Sequence, residues 1–274
     1  MMIKTLVENT SLDPNLGSEH GLSLYIETEN HRILFDTGAS GLFAVNAEKM
    51  GVDLSLVDIA VISHDHYDHG GGLMTFMSLN KQAKIYVSCE AFQDRFSILP
   101  TGEKKFIGLD KMTLLSNRFQ LVSHYMAIDD ELELFSGVNA EKLKPSGNKD
   151  LFMMRNGQLI LDDFAHEQNL IIREKNNIVL VAGCAHNGIV NIIEHMKTKA
   201  YGMPSHVIGG FHMYNKSADQ FEDPEVLSQI GTYLKLSDSL CYTCHCTGIK
   251  PYQQLQTILN DKIGYLATGS ILNI

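Results

Sequence analysis

The chain has 274 residues and a formal net charge of −10 at pH 7, with 44% hydrophobic and 20% charged residues, the balance of a globular protein long enough for a sizeable core. The negative balance argues against a general nucleic-acid surface, but not against an anionic substrate, because a metal can invert the sign locally. No apolar run reaches the roughly 18 residues of a membrane span, the opening MMIKTLVENTS lacks the apolar stretch of a signal peptide, and five cysteines are too few for a disulfide framework in a chain this size. Cytoplasmic residence is therefore the expectation, with no membrane and no nucleic acid as partner.

In chain order, KTLVEN (4–9), LSLYIET (22–28) and HRILFDTG (31–38) read as strands, and the last ends on an Asp-Thr-Gly turn. A helix is expected over 42–50, closed by Gly51, and the apolar run 56–62 reads as a buried strand. A loop of charged residues and glycines follows, then a helix from Leu73 and a strand at AKIYVSC (83–89). Residues 92–150 are the least regular, with LPTGEKK and KLKPSGNKD as loop signals. Strands return at QLILDD (158–163), NLIIRE (169–174) and NIVLVAGC (177–184), followed by an amphipathic helix, GIVNIIEHMKTKA (188–200). A strand at SHVIGGFH (205–212), a helix at 224–236, a short strand running into CYTCHCTG (241–248) and a helix at 251–259 complete the pattern.

The chemistry concentrates in VISHDHYDHGGGLM, 61–74, where His64, His66, Asp68 and His69 stand directly behind an apolar strand. Four such side chains on one tight loop repel or desolvate each other without a cation. Imidazole suits zinc, iron and copper, and an adjacent carboxylate suits harder ions. Two ions can share the loop, His64 and His66 on one and Asp68 and His69 on the other; the plain alternative is a solvated polar loop. Further ligands must come from elsewhere among the twelve histidines. His186, His212 and His245 each end a strand beside Gly or Thr, the slot that the first cluster also occupies, as a site built along one sheet edge requires. A lone histidine in such a place is more often a hydrogen-bonded core residue; three together point to function. His31, His195 and His206 read as surface or loop residues, and His124 and His166 stay undecided.

H-x-H-x-D-H after a strand, preceded by LFDTG and followed by Gly-Gly, resembles the metallo-β-lactamase superfamily of metal-dependent hydrolases. EHGLSLYIE, GCAHNGIVNIIEH, IGGFH and HCTG resemble one branch of it, the dihydropterin-ribofuranosyl-aminobenzene-phosphate synthase-like proteins. The likeness implies an α/β fold (α+β by some schemes). It would be a four-layer αββα metallo-β-lactamase-like sandwich of two mixed β-sheets, a single domain over 1–274 with a variable substrate-recognition insertion at about 92–150. It implies a dinuclear centre at one sheet edge, with zinc foremost and manganese or iron as alternatives. There a bridging water or hydroxide attacks a carbonyl or phosphoryl centre, His64, His66 and His186 form one half-site, and Asp68, His69 and His245 form the other. Asp68 is then both ligand and catalytic residue, orienting the nucleophile. A bound cation lowers the pKa of water to about 7, which gives that scheme its physical basis.

Two departures stand out. Many members carry an Asp at the end of the strand that here reads VLVAGC; this chain has Cys184, either a thiolate ligand or a small buried residue. No clear isolated histidine lies between 69 and 184, although His166 in DDFAHEQNL is a candidate beside Asp162, Asp163 and Glu167. CYTCH fits covalent haem attachment by pattern, but a redox pair or two buried thiols at Cys241 and Cys244 suit this chain better, and alternation turns Cys246 away from the side of His245. Arg95, Lys104 and Lys105 between Phe92, Phe96 and Phe106 suit a phosphorylated or carboxylated flat ligand, against the reading of a merely solvated loop. His20 and His212 join Arg95 as candidate substrate contacts. The expected activity is a hydrolase, or a related cyclase or transferase, acting on a small anionic phosphoester or pterin-like precursor. The alternative is a di-iron redox or sensing module on the same fold, and homodimer formation is left open.

Overall fold

The computed structural model describes residues 1–111, 116–199 and 202–274. Its organising rule is visible in the strand Arg32–Phe35, where successive side chains point to opposite faces. Ile33 and Phe35 enter a core between two sheets, whereas Leu34 faces outward into a second core. The same alternation across the sheet partner Ser23–Glu27 sends Leu24 and Ile26 inward and Tyr25 outward.

The first sheet runs Ile271–Asn273, Met2–Val7, Ser23–Glu27, Arg32–Phe35, Ile59–Val61, Lys84–Ser88 and Phe119–Val122. Its partner runs Ile263–Tyr265, Leu240–Thr243, His206–Gly209, Asn177–Val181, Asn169–Glu174, Leu132–Phe135 and Tyr125–Ala127. Both are mixed: Arg32–Phe35 to Phe119–Val122 are parallel in one, and Asn177–Val181 to Ile263–Tyr265 in the other. Helices Leu42–Lys49 and Leu73–Leu79 bury Phe43, Ala47, Leu73 and Phe76 on the outer face of the first sheet. Ile189–Thr198, Pro224–Ser237 and Ile249–Leu259 bury Ile192, Ile193, Leu227, Leu234 and Leu255 on the outer face of the second. This is the αββα sandwich expected, and the carboxyl ends of its parallel strands, where open sheets carry ligands, lie along one edge.

Some expectations differ from what the chain does. Of 56–62 only Ile59–Val61 is strand, because the Asp53 carboxylate caps a tight turn at Leu54–Leu56 just before it. The last two strands, Ile263–Tyr265 and Ile271–Asn273, carry only three residues each and give little periodicity to read. Residues 92–150 do not form one insertion. Phe119–Val122, Tyr125–Ala127 and Leu132–Phe135 belong to the main sheets, while Arg95–Ile98 and Lys104–Phe106 pair with Leu151–Arg155 and Gln158–Leu161 in a separate four-stranded sheet. Residues 112–115 of that stretch, and Ala200 at the end of the expected helix, lie outside the described residues. Among the described residues no helix is long and apolar enough to cross a membrane.

Candidate metal centre

The charged loop is held open at the sheet edge by Asp36, which ends the neighbouring strand with a left-handed backbone, φ 60°. One Asp36 oxygen accepts the Ser63 N–H at 2.7 Å; the other accepts the Ser63 hydroxyl at 2.7 Å and meets His69 Nδ1 at 2.6 Å. A helical turn at Tyr67–Gly70 then swings Asp68 and His69 inward, and the His69 carbonyl accepts the Thr37 N–H at 2.6 Å. Gly71 and Gly72 have no room for a Cβ: it would sit 2.3 Å from the carbonyl oxygens of Ala39 and Thr37 respectively.

Two sets of donor atoms converge. His64, His66 and His186 are buried, their ring centroids lie 4.6–5.0 Å apart, and all three Nε2 atoms lack a hydrogen-bond partner. Burial, reinforced by the neighbouring imidazoles, pushes His64 and His186 far below the ordinary histidine value. His66 falls to about 3, with burial first and His166 second among the causes. The rings are therefore neutral, with lone pairs free to bind a cation. Leaving a buried polar atom unpaired costs on the order of 1–3 kcal/mol, and these three orphans lie close enough together that they could hold an ion.

Beside them His69 Nε2 lies 3.1 Å from Cys184 Sγ, 3.2 Å from His245 Nε2 and 3.9 Å from Asp68 Oδ2, and Asp68 Oδ2 is 3.3 Å from His245 Nε2. Burial opposes ionisation of both His69 and Asp68. The carboxylates of Asp36 and Asp68 outweigh it at His69, raising that ring to about 9. Histidines 245, 69 and 20 outweigh it at Asp68 and hold that carboxyl well below the usual range. The donor set of imidazole, carboxylate and thiol suits a divalent ion of the zinc type.

The six expected ligands thus come together, and Cys184 stands among them. Its thiol is pushed up by burial, the ordinary state of a buried cysteine until a cation is beside it. Cys246 does not turn away. The chain leaves its strand at Thr243 and coils through His245–Thr247 with His245 at φ 53°, so alternation ends and Cys246 Sγ meets the Cys184 carbonyl at 3.4 Å. Cys241 lies in the helix-side core and Cys244 between the sheets, on opposite faces and unsuited to a redox pair. His20 and His212 both line the cleft above the centre: His20 Nε2 is 3.3 Å from Asp68, and the His212 ring is 4.2 Å from that of His186.

Arg95 does not line the cleft. It is wholly buried, binding the Asp65 carboxylate at 3.1 Å, Asp162 at 2.9 Å and the Glu90 carbonyl at 3.1 Å. His166 joins that network, its Nδ1 against Asp65 and its Nε2 3.5 Å from Asp162, behind His64 and His66 rather than among the ligands. A basic residue between aromatics reads from sequence as a ligand contact; burial, which sequence does not display, assigns it to the scaffold. His31 bridges Asp58 and Asp129, and His195 stacks on Phe135, both outside the cluster. Asp36 was missed as a site residue, and the signal for it is the FDTG turn that ends its strand.

Residues 16–124 match the family described as the metallo-beta-lactamase superfamily. The chain is 28% identical over 274 residues to the 7,8-dihydropterin-6-methyl-4-(beta-D-ribofuranosyl)-aminobenzene-5'-phosphate synthase of Methanocaldococcus jannaschii, covering 93% of this chain and 90% of that protein. Among solved structures it superimposes on Tm1679, a metal-dependent hydrolase of the beta-lactamase superfamily, with TM-score 0.84 and 30% identity, over 100% of this chain and 99% of that one. Zinc-bound PqqB of Methylobacterium extorquens, at TM-score 0.59 and 10% identity over 100% of both chains, shares the fold alone.

Proposed function

Because the chain belongs to the metallo-β-lactamase superfamily of metal-dependent hydrolase-like proteins, we propose that it is a dinuclear enzyme acting on a small anionic ester. His64, His66 and His186 hold one divalent ion; Asp68, His69 and His245 hold the other, with the Cys184 thiolate beside them. The carrying observation is the set of three unpartnered, buried Nε2 atoms aimed at one another next to a second group of converging donors. When bound, divalent cations supply Lewis acidity and lower the pKa of water to about 7. Asp68 stays ionised, its Oδ2 3.3 Å from both His20 Nε2 and His245 Nε2, so with ions bound its carboxylate would help hold one cation and orient the nucleophile.

The cleft mouth supports the substrate class proposed. Tyr67 and Tyr214 offer flat apolar faces, and Lys105 and Lys216 offer positive charge over the centre. Lys105 Nζ already lies 5.1 Å from the Tyr67 ring centroid. Aromatic faces with cations suit a flat ring bearing a phosphate. The archaeal relative is named for a molecule that joins a dihydropterin, an aminobenzene and a 5'-phosphate. A phosphoester or pterin-like precursor is accordingly the substrate proposed, and zinc the metal.

A screen of phosphomonoesters and phosphodiesters with and without added zinc or manganese tests the reading. Metal-dependent turnover should fall by at least about 10²-fold in Asp68→Asn, the scale of a positioned proton-handling group, while the fold survives. Wild-type turnover in that variant with its metals still bound would sink the assignment.

A further inference from the structure

His186 and His245 reach the centre from strands and loops far apart in the chain, yet each is gripped in the same way. Asn148 Nδ2 donates to the His186 carbonyl at 2.7 Å while Asn148 Oδ1 faces His186 Nδ1 at 3.0 Å. Asn9 Nδ2 donates to the His245 carbonyl at 3.1 Å while Asn9 Oδ1 faces His245 Nδ1 at 2.9 Å. A buried glutamate takes the remaining backbone group in each case. Glu167 accepts the His186 N–H at 2.5 Å, and Glu8 accepts the His245 N–H at 2.6 Å.

The chemistry of this grip leaves one arrangement. A carbonyl can only accept, so the carboxamide must present its NH2 to the backbone and its oxygen to the ring. An amide oxygen can only accept as well, so the ring must carry its proton on Nδ1. A neutral imidazole protonated at Nδ1 keeps its lone pair on Nε2, the atom that in His186 is unpartnered and in His245 faces Asp68 and His69. The grip also holds left-handed backbone at His245, φ 53°, and at Ala185, φ 57°, conformations that cost non-glycine residues of order 1–3 kcal/mol. The two glutamates secure the backbone; the two asparagines alone read both the backbone and the ring.

We infer that Asn9 and Asn148 are positioning residues for a two-ion centre, each setting the tautomer and aim of one histidine and so the affinity of one half-site. This rests on the ligand assignment proposed above. Neither asparagine touches the reacting atoms. His64 and His69 are oriented differently, through the Ser63 hydroxyl at 2.9 Å and the Asp36 carboxylate at 2.6 Å, so the amide grip is specific to the histidines of the second sheet.

Zinc titration of chelator-stripped full-length protein, with thermal unfolding of each stripped sample, tests the inference. Wild type should bind two ions. Asn9→Leu and Asn148→Leu should each weaken one site by about 10–100-fold, the usual effect of removing a partner behind a ligand, and leave the other intact. The double variant should weaken both. Asn9→Asp and Asn148→Asp keep an acceptor for Nδ1–H but lose the donor to the backbone carbonyl, and should restore part of the affinity. Two wild-type sites in both leucine variants would overturn the inference, and if those variants fail to fold, loss of a site in the folded aspartate variants would do the same. A wild type that binds fewer than two ions overturns the two-ion reading and the pairing of asparagines with it.

Discussion

At the scale of single residues, the decisive difference from a generic polar loop is where lone pairs and charges are left. His64, His66 and His186 keep unpartnered Nε2 atoms in the interior, while Cys184 places a sulfur 3.1 Å from His69 Nε2. A thiolate is a soft ligand that favours zinc over manganese. Cys184→Ser should therefore lower zinc affinity by about 10–100-fold, by analogy with loss of other close ligand support, and change manganese affinity little. Competition titrations of the two metals on the stripped protein check this; parallel losses for both metals would make Cys184 a packing residue. The loop's candidate ligands were legible in sequence because six adjacent residues carry them, and the distant histidines of the cluster because each ends an apolar strand. Asp36 was less so: its partners His69 and Ser63 lie 33 and 27 residues away, and only the folded sheet makes Phe35 and Val61 neighbours. Cys246 was misplaced because alternation holds only while a strand continues, and this one stops at Thr243.

At the scale of elements, the four-stranded sheet of Arg95–Ile98, Lys104–Phe106, Leu151–Arg155 and Gln158–Leu161 is joined to the ligand loop by buried charge. Asp65, between His64 and His66, pairs with Arg95 from this sheet and with His166, and Asp162 closes the set. Removing one member of such a set leaves a buried charge unpaired, which costs about 3–5 kcal/mol. Arg95→Met should destabilise the chain on that scale in denaturant unfolding. A near-neutral effect, with only the substrate KM raised, would return Arg95 to the ligand-contact role its sequence context suggests. Burial opposes protonation of His166, but Asp65 outweighs it and raises the ring from 6.5 to about 9. Protonation is thus favoured in the folded state, so the contribution is complete below about 6.5 and lost as pH rises through about 9. Thermal midpoints of stripped wild type should fall across that window relative to His166→Gln; parallel curves would exclude an ionised His166. The partition of residues 92–150 between this sheet and the main sheets was hidden from sequence because short strands of three or four residues carry almost no period to read.

At the scale of the whole molecule, the proposed centre would cross-link the two sheets. His64, His66, Asp68 and His69 follow a strand of one sheet, and Cys184, His186 and His245 follow strands of the other. An ion bound only by the folded chain stabilises it by about 4 kcal/mol at a thousandfold excess over its Kd, and each kcal/mol moves Tm by about 2–4 °C in domains approaching this size. Chelation should therefore lower Tm by on the order of 10 °C, reversed by adding zinc; an unchanged Tm would mean that the two sheets are not bridged by a metal. The fold itself was the most legible level, since strand alternation and helix amphipathicity fix which faces meet. The proposed chemistry depends on two ions at the centre. The most direct test is elemental mass spectrometry of metal content per chain, on protein purified without added metal or chelator. About two zinc or manganese ions per chain is the result predicted. No bound metal would contradict the centre outright, and two irons without ester turnover would contradict the hydrolytic reading in favour of redox or sensing chemistry.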